Sequence, residues 1–559
     1  VWAILRQSGA APRGALFWSL VFAVHPLATE PVNYLSSRSE LLAAAGLLAA
    51  FWLWEQTDSR GAVLGSAVAF TAGLLAKESA IVLPALLLIA DGLHGRLSRP
   101  RLRRYLPHAV VAALYLMLQA GVTGFLTRAV ATAPVRSLLV QWGTQAKAAI
   151  FYLKLLLVPV GQSVDHPFRE SDLFGLIPIL GLALLGSLAW LAWQGRRRWP
   201  WLALAVAWIG LTLAPTALVP LNVLVNEHRL YLPLVGLVCG LHAVLPAPHA
   251  RGSRLLWGVL LAGIGLLALL AISRNRVWQD EETLWADAAR RGPTLVRPLV
   301  YLGNQARQQG KAAEAVVHFR RALELEPGHP VATANLANAL QDLGQTREAI
   351  SLLRTVLAAH PEGDEMRYNL AGLLRQTGQL PEARAEYLRV SPQSPHQALA
   401  LNNLGTVYEG EGRLDSALAC YRRALVREPQ LAEAGNNLER LRRVVDRRLE
   451  ELFEQGDPVA VESLARAVLA VDEGRSRPRF FLAASLFAQR RYAESLEENQ
   501  RLVADRPDDA EARLQLGNVL TALGRRDEAR AVYRELADRP AAGTYGQVAA
   551  ARLRDLAAR

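Results

Sequence analysis

The sequence has few cysteines: Cys239 and Cys420 are the only two among 559 residues. Two cysteines in different halves of the chain give no basis for a disulfide framework or a cysteine zinc site. Acidic residues are scarce in one half only. Residues 1–273 contain 10 Asp and Glu beside 21 Lys and Arg, whereas residues 274–559 contain 40 acidic and 41 basic residues. This distribution argues against a single soluble domain and against a disordered chain.

The first half of the chain is rich in apolar residues. The whole chain is 52% hydrophobic, with a mean hydropathy of +0.15 and a net charge of +12. We predict an all-α protein: a polytopic membrane domain (1–273), a linker or entry helix (274–295), a repeat array (296–543) and a C-terminal helix (544–559). About nine crossings are expected in the membrane domain, at 14–24, 40–54, 61–76, 79–92, 106–124, 173–194, 200–219, 230–246 and 255–273.

Three short basic loops set the expected orientation. They contain ten of the 21 basic residues of the membrane half, and such loops face the cytoplasm: Arg96, Arg99, Arg101, Arg103 and Arg104; Arg196, Arg197 and Arg198; Arg251 and Arg254. The stretch 138–158 would break this alternation as a simple crossing, so we predict a re-entrant or interfacial segment with Lys147 and Lys154 on one helical face. The residues after 273 are then extracytoplasmic.

A 34-residue period begins after about Val296. Four columns of residues keep it: Gly310, Gly344, Gly378 and Gly412; Ala315, Ala349, Ala383 and Ala417; Pro327, Pro361, Pro395 and Pro429; Leu336, Leu370, Leu404 and Leu438. Gly permits a turn between two helices, Ala permits close packing, and Pro ends the second helix. The period and residue types resemble tetratricopeptide repeats, which stack into a superhelix with a concave groove. The period weakens through 440–509 and returns in 510–540, so we expect five clear and about two degenerate repeats.

A fifth column consists of amides. Asn335, Asn369, Asn403 and Asn437 precede the leucine column and fall on the first helix of each repeat. One interpretation is a ladder in the groove that hydrogen-bonds the backbone of an extended acceptor peptide, since each amide both donates and accepts. The other is that Asn is common at this repeat position and is solvated.

Polar residues at the expected outer ends of the membrane segments are the functional candidates. They form four clusters: His25, Glu30, Arg38 and Glu40; Lys77 with Glu78; Asp165 with His166; and 226–231, which contains Glu227, His228 and Arg229. Basic groups there suit a phosphate, and carboxylates suit general-base catalysis. The alternative is that local pairs, Arg38–Glu40, Lys77–Glu78 and Glu227–Arg229, only hold helix ends.

These stretches resemble the transmembrane and tetratricopeptide-repeat O-mannosyltransferases, which have the C-type glycosyltransferase fold, and their bacterial relatives. The resemblance rests on HPLATE followed by a spaced R-x-E (25–40), on NEHRLYLP (226–233), and on blocks at 74–84, 157–168 and 274–285. The order of the blocks is more specific than any one of them. His228, between Glu227 and Arg229, departs from the plain Glu-Arg pair of the family.

The resemblance implies transfer of a sugar from a polyprenyl phosphate to a Ser or Thr hydroxyl of an extracytoplasmic protein, with the repeats holding the acceptor. It implies that His25, Glu30, Arg38, Glu40, Glu227 and Arg229 line the site, and that Lys77 and Arg229 face the lipid phosphate. In the family the catalytic acid follows the first membrane helix, and no such Asp-rich motif precedes Val21. We therefore expect the base to lie upstream of Val1, and the full-length protein rather than this chain to be the active enzyme.

Two other functions stay open: a non-enzymatic membrane-anchored scaffold for envelope proteins, and a C-type transferase or ligase acting on envelope glycans. The expected partners are the lipid bilayer, the lipid-linked sugar and an acceptor protein. The expected location is a bacterial inner membrane. No nucleic-acid partner is expected, because the basic excess lies in membrane loops. No cofactor is implied with certainty, no metal ligands can be assigned, and the need for a divalent metal stays undecided.

Overall fold

A computed structural model describes residues 1–121, 136–218, 223–245 and 254–558, and at Arg254 it describes the backbone alone. Throughout this part of the chain the secondary structure is helical and contains no β-strand, which confirms the all-α prediction. The chain divides into two compact units, Val1–Gln305 and Ala306–Arg559. Arg251, residues 122–124 of one predicted crossing, residues 125–135, and residues 219–222 and 246 lie outside the described residues.

The first unit consists of fifteen described α-helices, of which the last runs into the second unit. They are α1 (Trp2–Gln7), α2 (Pro12–Val24), α3 (Thr29–Asn33), α4 (Arg38–Gln56), α5 (Arg60–Ala76), α6 (Leu83–Leu93), α7 (Arg99–Leu102), α8 (Leu106–Gly121), α9 (Leu138–Leu157), α10 (Leu176–Gly195), α11 (Pro200–Leu218), α12 (Tyr231–Val244), α13 (Arg254–Val277), α14 (Glu281–Arg291) and α15 (Val296–Gln308). Short 3₁₀ turns include Pro26–Ala28, Glu78–Val82 and Glu227–Leu230.

Three of these helices are long and apolar enough to span a membrane: Leu176–Gly195, Pro200–Leu218 and Leu255–Val277. Pro12–Val24 and Pro26–Asn33 meet the same test together, with a bend of 58° between them. These elements coincide with four of the nine predicted crossings, and the other five stay predictions. The stretch 138–158 forms one continuous helix, α9, and its position relative to the membrane also stays a prediction.

Helices α4 and α5 pack at close backbone distance, which brings two charged residues together. A Cβ atom added to Gly46 would lie 2.7 Å from Ala69 O and from backbone atoms of Gly73, so no larger residue fits there. Small residues permit such approaches between membrane helices. Because the helices are antiparallel, the first turn of α4, with Glu40, meets the end of α5, with Lys77.

The second unit consists of the helices that follow α15 along the chain. Its helices are α16 (Ala312–Leu325), α17 (Pro330–Asp342), α18 (Thr346–Ala359), α19 (Asp364–Gln376), α20 (Leu380–Leu388), α21 (Gln397–Gly410), α22 (Leu414–Arg427), α23 (Ala432–Glu454), α24 (Pro458–Val471), α25 (Ser476–Ala488), α26 (Tyr492–Asp505), α27 (Ala510–Ala522), α28 (Arg526–Ala537) and α29 (Gly543–Ala558). The pairing persists through 440–509, where the sequence period weakens, because burial there follows a different set of apolar positions. On the long α23 these are Leu441, Val445 and Leu449, which follow the column residue Leu438.

The repeat columns have the structural roles expected of them. All four glycines of the first column have φ between +74° and +79°, the left-handed region that favours glycine. The four alanines are fully buried, and the four leucines are buried. Pro327, Pro361 and Pro429 each lie two residues after the end of a second helix, whereas Pro395 lies seven residues after α20 ends at Leu388. The columns therefore mark turns, helix contacts and helix ends.

One close contact in the repeats gives a stability test. A Cβ on Gly405 would lie 2.5 Å from the ring of Tyr421, which is fully buried, so Gly405→Ala forces the ring to move. We expect a loss of about 1–3 kcal/mol in the free energy of unfolding, measured by chemical denaturation. Gly435→Ala is the control, since nothing lies within 4 Å of its Cβ, and should be neutral or stabilising. Equal effects of the two substitutions would contradict the packing argument.

Candidate functional site

Four side chains from three segments form a carboxylate–histidine cluster, which we define as Glu30, His166, Glu227 and His228. Glu30 lies on α3, just after the bend that follows α2, and is buried. Its Oε1 atom is 3.0 Å from Nδ1 of His228, which lies 198 positions later in the chain. The bend at His25 and Pro26 therefore places the glutamate of the HPLATE stretch against the NEHRLYLP stretch.

Glu227 is held by the long loop that follows α9. Its Oε1 accepts a hydrogen bond from the backbone N–H of Ser163, at 2.6 Å, and lies 2.9 Å from Nε2 of His166. The backbone N–H of Asn226, the residue before Glu227, donates to the hydroxyl of buried Tyr152 on α9. The loop after α9 and α9 itself thus fix the position of this carboxylate.

Lys77 and Glu40 form an ion pair of 2.8 Å beside this cluster. Ser79 Oγ donates to the second oxygen of Glu40, at 3.0 Å. The charges of Lys77 and Glu40 both influence the pKa of His228, so the ion pair lies within electrostatic range of the cluster. The HPLATE, R-x-E, Lys77 and NEHRLYLP stretches therefore converge within the first unit.

The local pairs considered from the sequence are wrong. Lys77 pairs with Glu40 rather than Glu78, and Glu227 contacts His166 rather than Arg229. The reason is geometric: close packing of α4 on α5 offers Lys77 a partner from another helix, and the 3₁₀ turn at Glu227–Leu230 separates Glu227 from Arg229.

The other predicted site residues have simpler surroundings. Arg229 is half-buried, and its guanidinium donates to the carbonyl oxygens of Val223 and Leu224. Buried His25 accepts a hydrogen bond from the N–H of Leu27 at its Nδ1, which caps the turn at the bend. Arg38 is exposed, and it forms no ion pair within the described ranges, so it is not held in the cluster.

Burial controls the protonation of two groups near the site. It lowers the pKa of His228 to about 4, and the charge of Lys77 acts in the same direction. The neutral imidazole therefore contacts Glu30 through a hydrogen bond rather than an ion pair. Burial also raises the pKa of the Asp165 carboxyl, opposed by the charges of Arg297 and His166.

One site residue was missed by the sequence analysis. Arg274, near the end of α13, is buried, forms a 3.0 Å ion pair with Asp287, and acts on the charge of Glu30. It opens the 274–285 block that carried part of the resemblance, but its position after a long apolar stretch suggested only a membrane-boundary residue. Asn33, three residues after Glu30, also donates to Asn275 on α13 at 2.7 Å.

Several buried polar atoms of the site have unused hydrogen-bonding capacity. Glu30 Oε2 and Glu227 Oε2 each lack a protein partner among the described residues, and so do Gln162 Nε2 and Arg274 Nη2. Unsatisfied buried groups of this kind are rare and call for a ligand, an ion or water. A carboxylate oxygen held ready in this way can accept a proton from a hydroxyl. Within the described ranges, no three His, Cys, Asp or Glu side chains are arranged to hold a metal ion.

The four column asparagines lie on α17, α19, α21 and α23, the first helices of successive pairs, and all are half-buried. Asn403 Nδ2 donates to the hydroxyl of Tyr368, at 3.2 Å, and Asn437 Nδ2 donates to Asn402 Oδ1, at 3.0 Å. An amide offers two N–H donors and a carbonyl acceptor, so these contacts leave capacity for another partner.

Family comparisons identify the repeats. Models described as Tetratricopeptide repeat match residues 306–356, 334–398, 398–431 and 486–552. These stretches are therefore tetratricopeptide repeats, and they support a role in protein interaction.

Among curated proteins, Protein O-mannosyl-transferase TMTC1 of Mus musculus is 28% identical over 116 residues. The match covers 20% of this chain and 12% of the length of that protein. The similarity thus concerns a small part of both proteins.

Among solved structures, the chain is similar to YrrB, a tetratricopeptide-repeat protein with an unusual peptide-binding site, at 22% identity, with 31% of this chain and 88% of that chain covered and a TM-score of 0.25. MamA of Desulfovibrio magneticus RS-1 has 19% identity, coverages of 33% and 99%, and a TM-score of 0.25. PilF of Pseudomonas aeruginosa has 19% identity, coverages of 46% and 97%, and a TM-score of 0.23. Likeness at this level concerns the helical fold and says nothing of binding.

Proposed function

We propose that the protein is a membrane glycosyltransferase, which transfers a sugar from a polyprenyl phosphate to Ser or Thr hydroxyls of extracytoplasmic proteins. The hydroxyl oxygen attacks the anomeric carbon with inversion, and the bond from that carbon to the phosphate oxygen breaks. The electron pair stays on the lipid phosphate, and the hydroxyl proton passes to a carboxylate. The products are the glycosylated protein and the polyprenyl phosphate.

The observation that carries the proposal is the convergence of Glu30, Glu227 and His228 in a buried cluster beside Lys77, in a unit with helices able to span a membrane. Burying two carboxylates costs free energy and contributes little to stability alone, so their retention favours a catalytic use. The match to a protein named as an O-mannosyl-transferase supports the same reaction class.

In place of the base expected upstream of Val1, we assign the proton acceptor to Glu227 or Glu30, since each has a buried oxygen without a protein partner among the described residues. Lys77 and Arg229 are proposed to stabilise the negative charge of the departing phosphate. Glu40 holds the Lys77 ammonium in place until the donor arrives. Arg38, exposed and unpaired in the described structure, is assigned to the rim of the site.

The repeats are proposed to hold the acceptor protein on the extracytoplasmic side of a bacterial inner membrane. Their column of asparagines would bind backbone groups of an extended peptide, which suits an enzyme that modifies many sequences.

Sugar transfer can be tested directly. The full chain is reconstituted in vesicles with radiolabelled polyprenyl-phosphate mannose and a Ser/Thr-rich peptide, and label in the peptide is measured. We expect transfer that depends on the protein and on a free hydroxyl, so an Ala-substituted peptide should stay unlabelled. The same assay with other polyprenyl-phosphate sugars defines donor choice. No transfer from any donor would overturn the proposed reaction.

A membrane-anchored scaffold for envelope proteins is the second candidate. It is favoured by the repeats alone, which are identified independently of the site in the first unit. Under this function, acceptor proteins would bind the chain and leave unmodified.

The asparagine column gives a prediction shared by both functions. Replacing Asn369 and Asn403 by Ala removes two amides of the column, and we expect peptide affinity to fall about thirtyfold, since two hydrogen bonds of about 1 kcal/mol each are lost. Fluorescence anisotropy with an extended acceptor peptide measures the change. Asn436→Ala, an exposed neighbour of the column, is the control and should leave affinity unchanged. Equal peptide affinity of all variants would show that the column asparagines take no part in peptide binding.

A further inference from the structure

A second polar site lies in the first unit, away from the carboxylate–histidine cluster. It is a cavity of about 260 Å³, here named the Arg198 cavity. Its walls come from the turn before α2, from the connection between α10 and α11, and from the end of α12. The lining residues used below are Ala11, Gly14, Arg198, Trp199, Trp201 and His242.

Helix directions place the Arg198 cavity and the cluster at opposite ends of the same elements. Helix α2 begins at the cavity, beside Ala11, and ends at the bend that positions Glu30. Helix α12 begins just after His228 and ends at the cavity, beside His242. With a rise of 1.5 Å per residue, helices of 13 and 14 residues separate the two sites by roughly 20 Å.

The groups that line the Arg198 cavity suit an anion. Arg198 contributes a guanidinium group, whose central carbon is 5.7 Å from the ring centre of Trp199. His242 Nδ1 is buried and has no partner in the described part of the chain. Helices α2 and α11 both begin at this cavity, and the N-cap residue of α2, Ala11, provides no side-chain cap. The first amides of a helix lack intrahelical partners and favour negative charge.

The cavity also lies at the level expected for lipid headgroups. Its residues Arg198 and Trp199 belong to the short connection between Leu176–Gly195 and Pro200–Leu218, two helices able to span a membrane. Trp side chains are enriched at this boundary, and basic residues there attract anionic lipids. A volume of about 260 Å³ corresponds to about nine water molecules at about 30 Å³ each, enough for a phosphate with its glycerol.

We propose that the Arg198 cavity binds a phosphate diester, the headgroup of an anionic phospholipid. Arg198 and the amide ends of α2 and α11 would contact the phosphate oxygens, and Trp199 and Trp201 would pack against the glycerol. The site lies on the membrane face opposite the cluster and is independent of sugar transfer. Lipid bound here would hold the adjoining ends of α2, α11 and α12 together.

Native mass spectrometry of the purified full chain tests the site. Phosphatidylglycerol or phosphatidylcholine is titrated at equal concentration, and the bound fraction is measured for wild type, Arg198→Gln and Arg197→Gln. Arg197 is the matched control, because it is exposed like Arg198 but does not line the cavity. We expect at least tenfold preference for phosphatidylglycerol in the wild type, an affinity about tenfold lower in Arg198→Gln, and no change in Arg197→Gln.

A competition arm separates a lipid headgroup from a free phosphate. Phosphatidylglycerol retained in excess inorganic phosphate supports the lipid headgroup, whereas displacement by inorganic phosphate assigns the cavity to a free phosphate and overturns the headgroup assignment. Equal binding of the two lipids, or equal affinity of the Arg198→Gln and Arg197→Gln variants, would overturn the anion site itself.

Discussion

Replacing Glu227 by glutamine is expected to lower the rate of sugar transfer by about 10²–10⁴-fold, the range typical of a lost general acid or base. Glutamine has nearly the same shape as glutamate and keeps a carbonyl oxygen that can accept the 2.6 Å hydrogen bond from Ser163. The substitution removes the negative charge and the free oxygen that would take the hydroxyl proton. The vesicle transfer assay measures the rate.

Two comparisons make this result specific. Glu281→Gln, an exposed glutamate at the start of α14, should keep the wild-type rate. Lipid-linked donor should still bind the Glu227→Gln protein, because the phosphate-facing residues are unchanged. A wild-type rate in Glu227→Gln would exclude Glu227 as the base, and Glu30→Gln would then be tested in the same assay. Loss of the folded protein would show that Glu227 has a structural role instead.

Asp91→Ala is expected to destabilise the first unit by about 3–5 kcal/mol, the cost of breaking a buried ion pair. Asp91 is fully buried, and its two oxygens accept hydrogen bonds from three side chains and form an ion pair with a fourth. Arg101 Nε donates at 2.7 Å, the hydroxyl of Tyr105 at 2.7 Å and the indole N–H of Trp54 at 3.3 Å, and Arg96 lies 3.2 Å away. Removing the carboxylate leaves Arg101 Nε and the indole N–H of Trp54 without their acceptor, whereas the hydroxyl of Tyr105 keeps the carbonyl oxygen of Leu87.

Thermal unfolding of the purified chain in detergent measures this effect. Asp58→Ala is the matched control: it contacts Arg101 and Arg104, but its side chain is 71% exposed, so the expected loss is below about 1 kcal/mol. Asp91→Asn should fall between the two, because an amide still accepts hydrogen bonds but carries no charge. Similar unfolding temperatures for Asp91→Ala and Asp58→Ala would contradict the proposed importance of burial.

Much of the repeat architecture could be predicted from the sequence, because its rules are local. A left-handed glycine, a buried alanine and a proline after a helix recur every 34 residues, and Gly310, Ala315 and Pro327 each have the expected position. Each repeat contacts mainly its neighbours, so spacing along the chain translates into position in space.

The candidate site was predictable only in part. Motif spacing indicated which stretches carry Glu30, Lys77 and Glu227, but not which side chains meet. The Lys77–Glu40 pair depends on how closely α4 packs on α5, and the contact of Glu30 with His228 joins residues far apart in the chain. Arg274 could not be distinguished from an ordinary basic residue at a membrane boundary, since its burial is a property of the folded unit.

The tight crossing of α4 and α5 has a consequence for genetics. Gly46 and Gly73 carry no functional group, yet a Cβ on Gly46 would lie 2.7 Å from backbone atoms of α5, and one on Gly73 would lie 3.2 Å from Ala43 O, so either addition crowds the crossing. The N–H of Lys77 donates to the carbonyl of Gly73. A substitution at either glycine would displace the lysine ammonium from the site without touching a charged residue. An unbiased screen for loss of function should therefore recover substitutions at Gly46 and Gly73 as often as substitutions at the acidic and basic residues of the site.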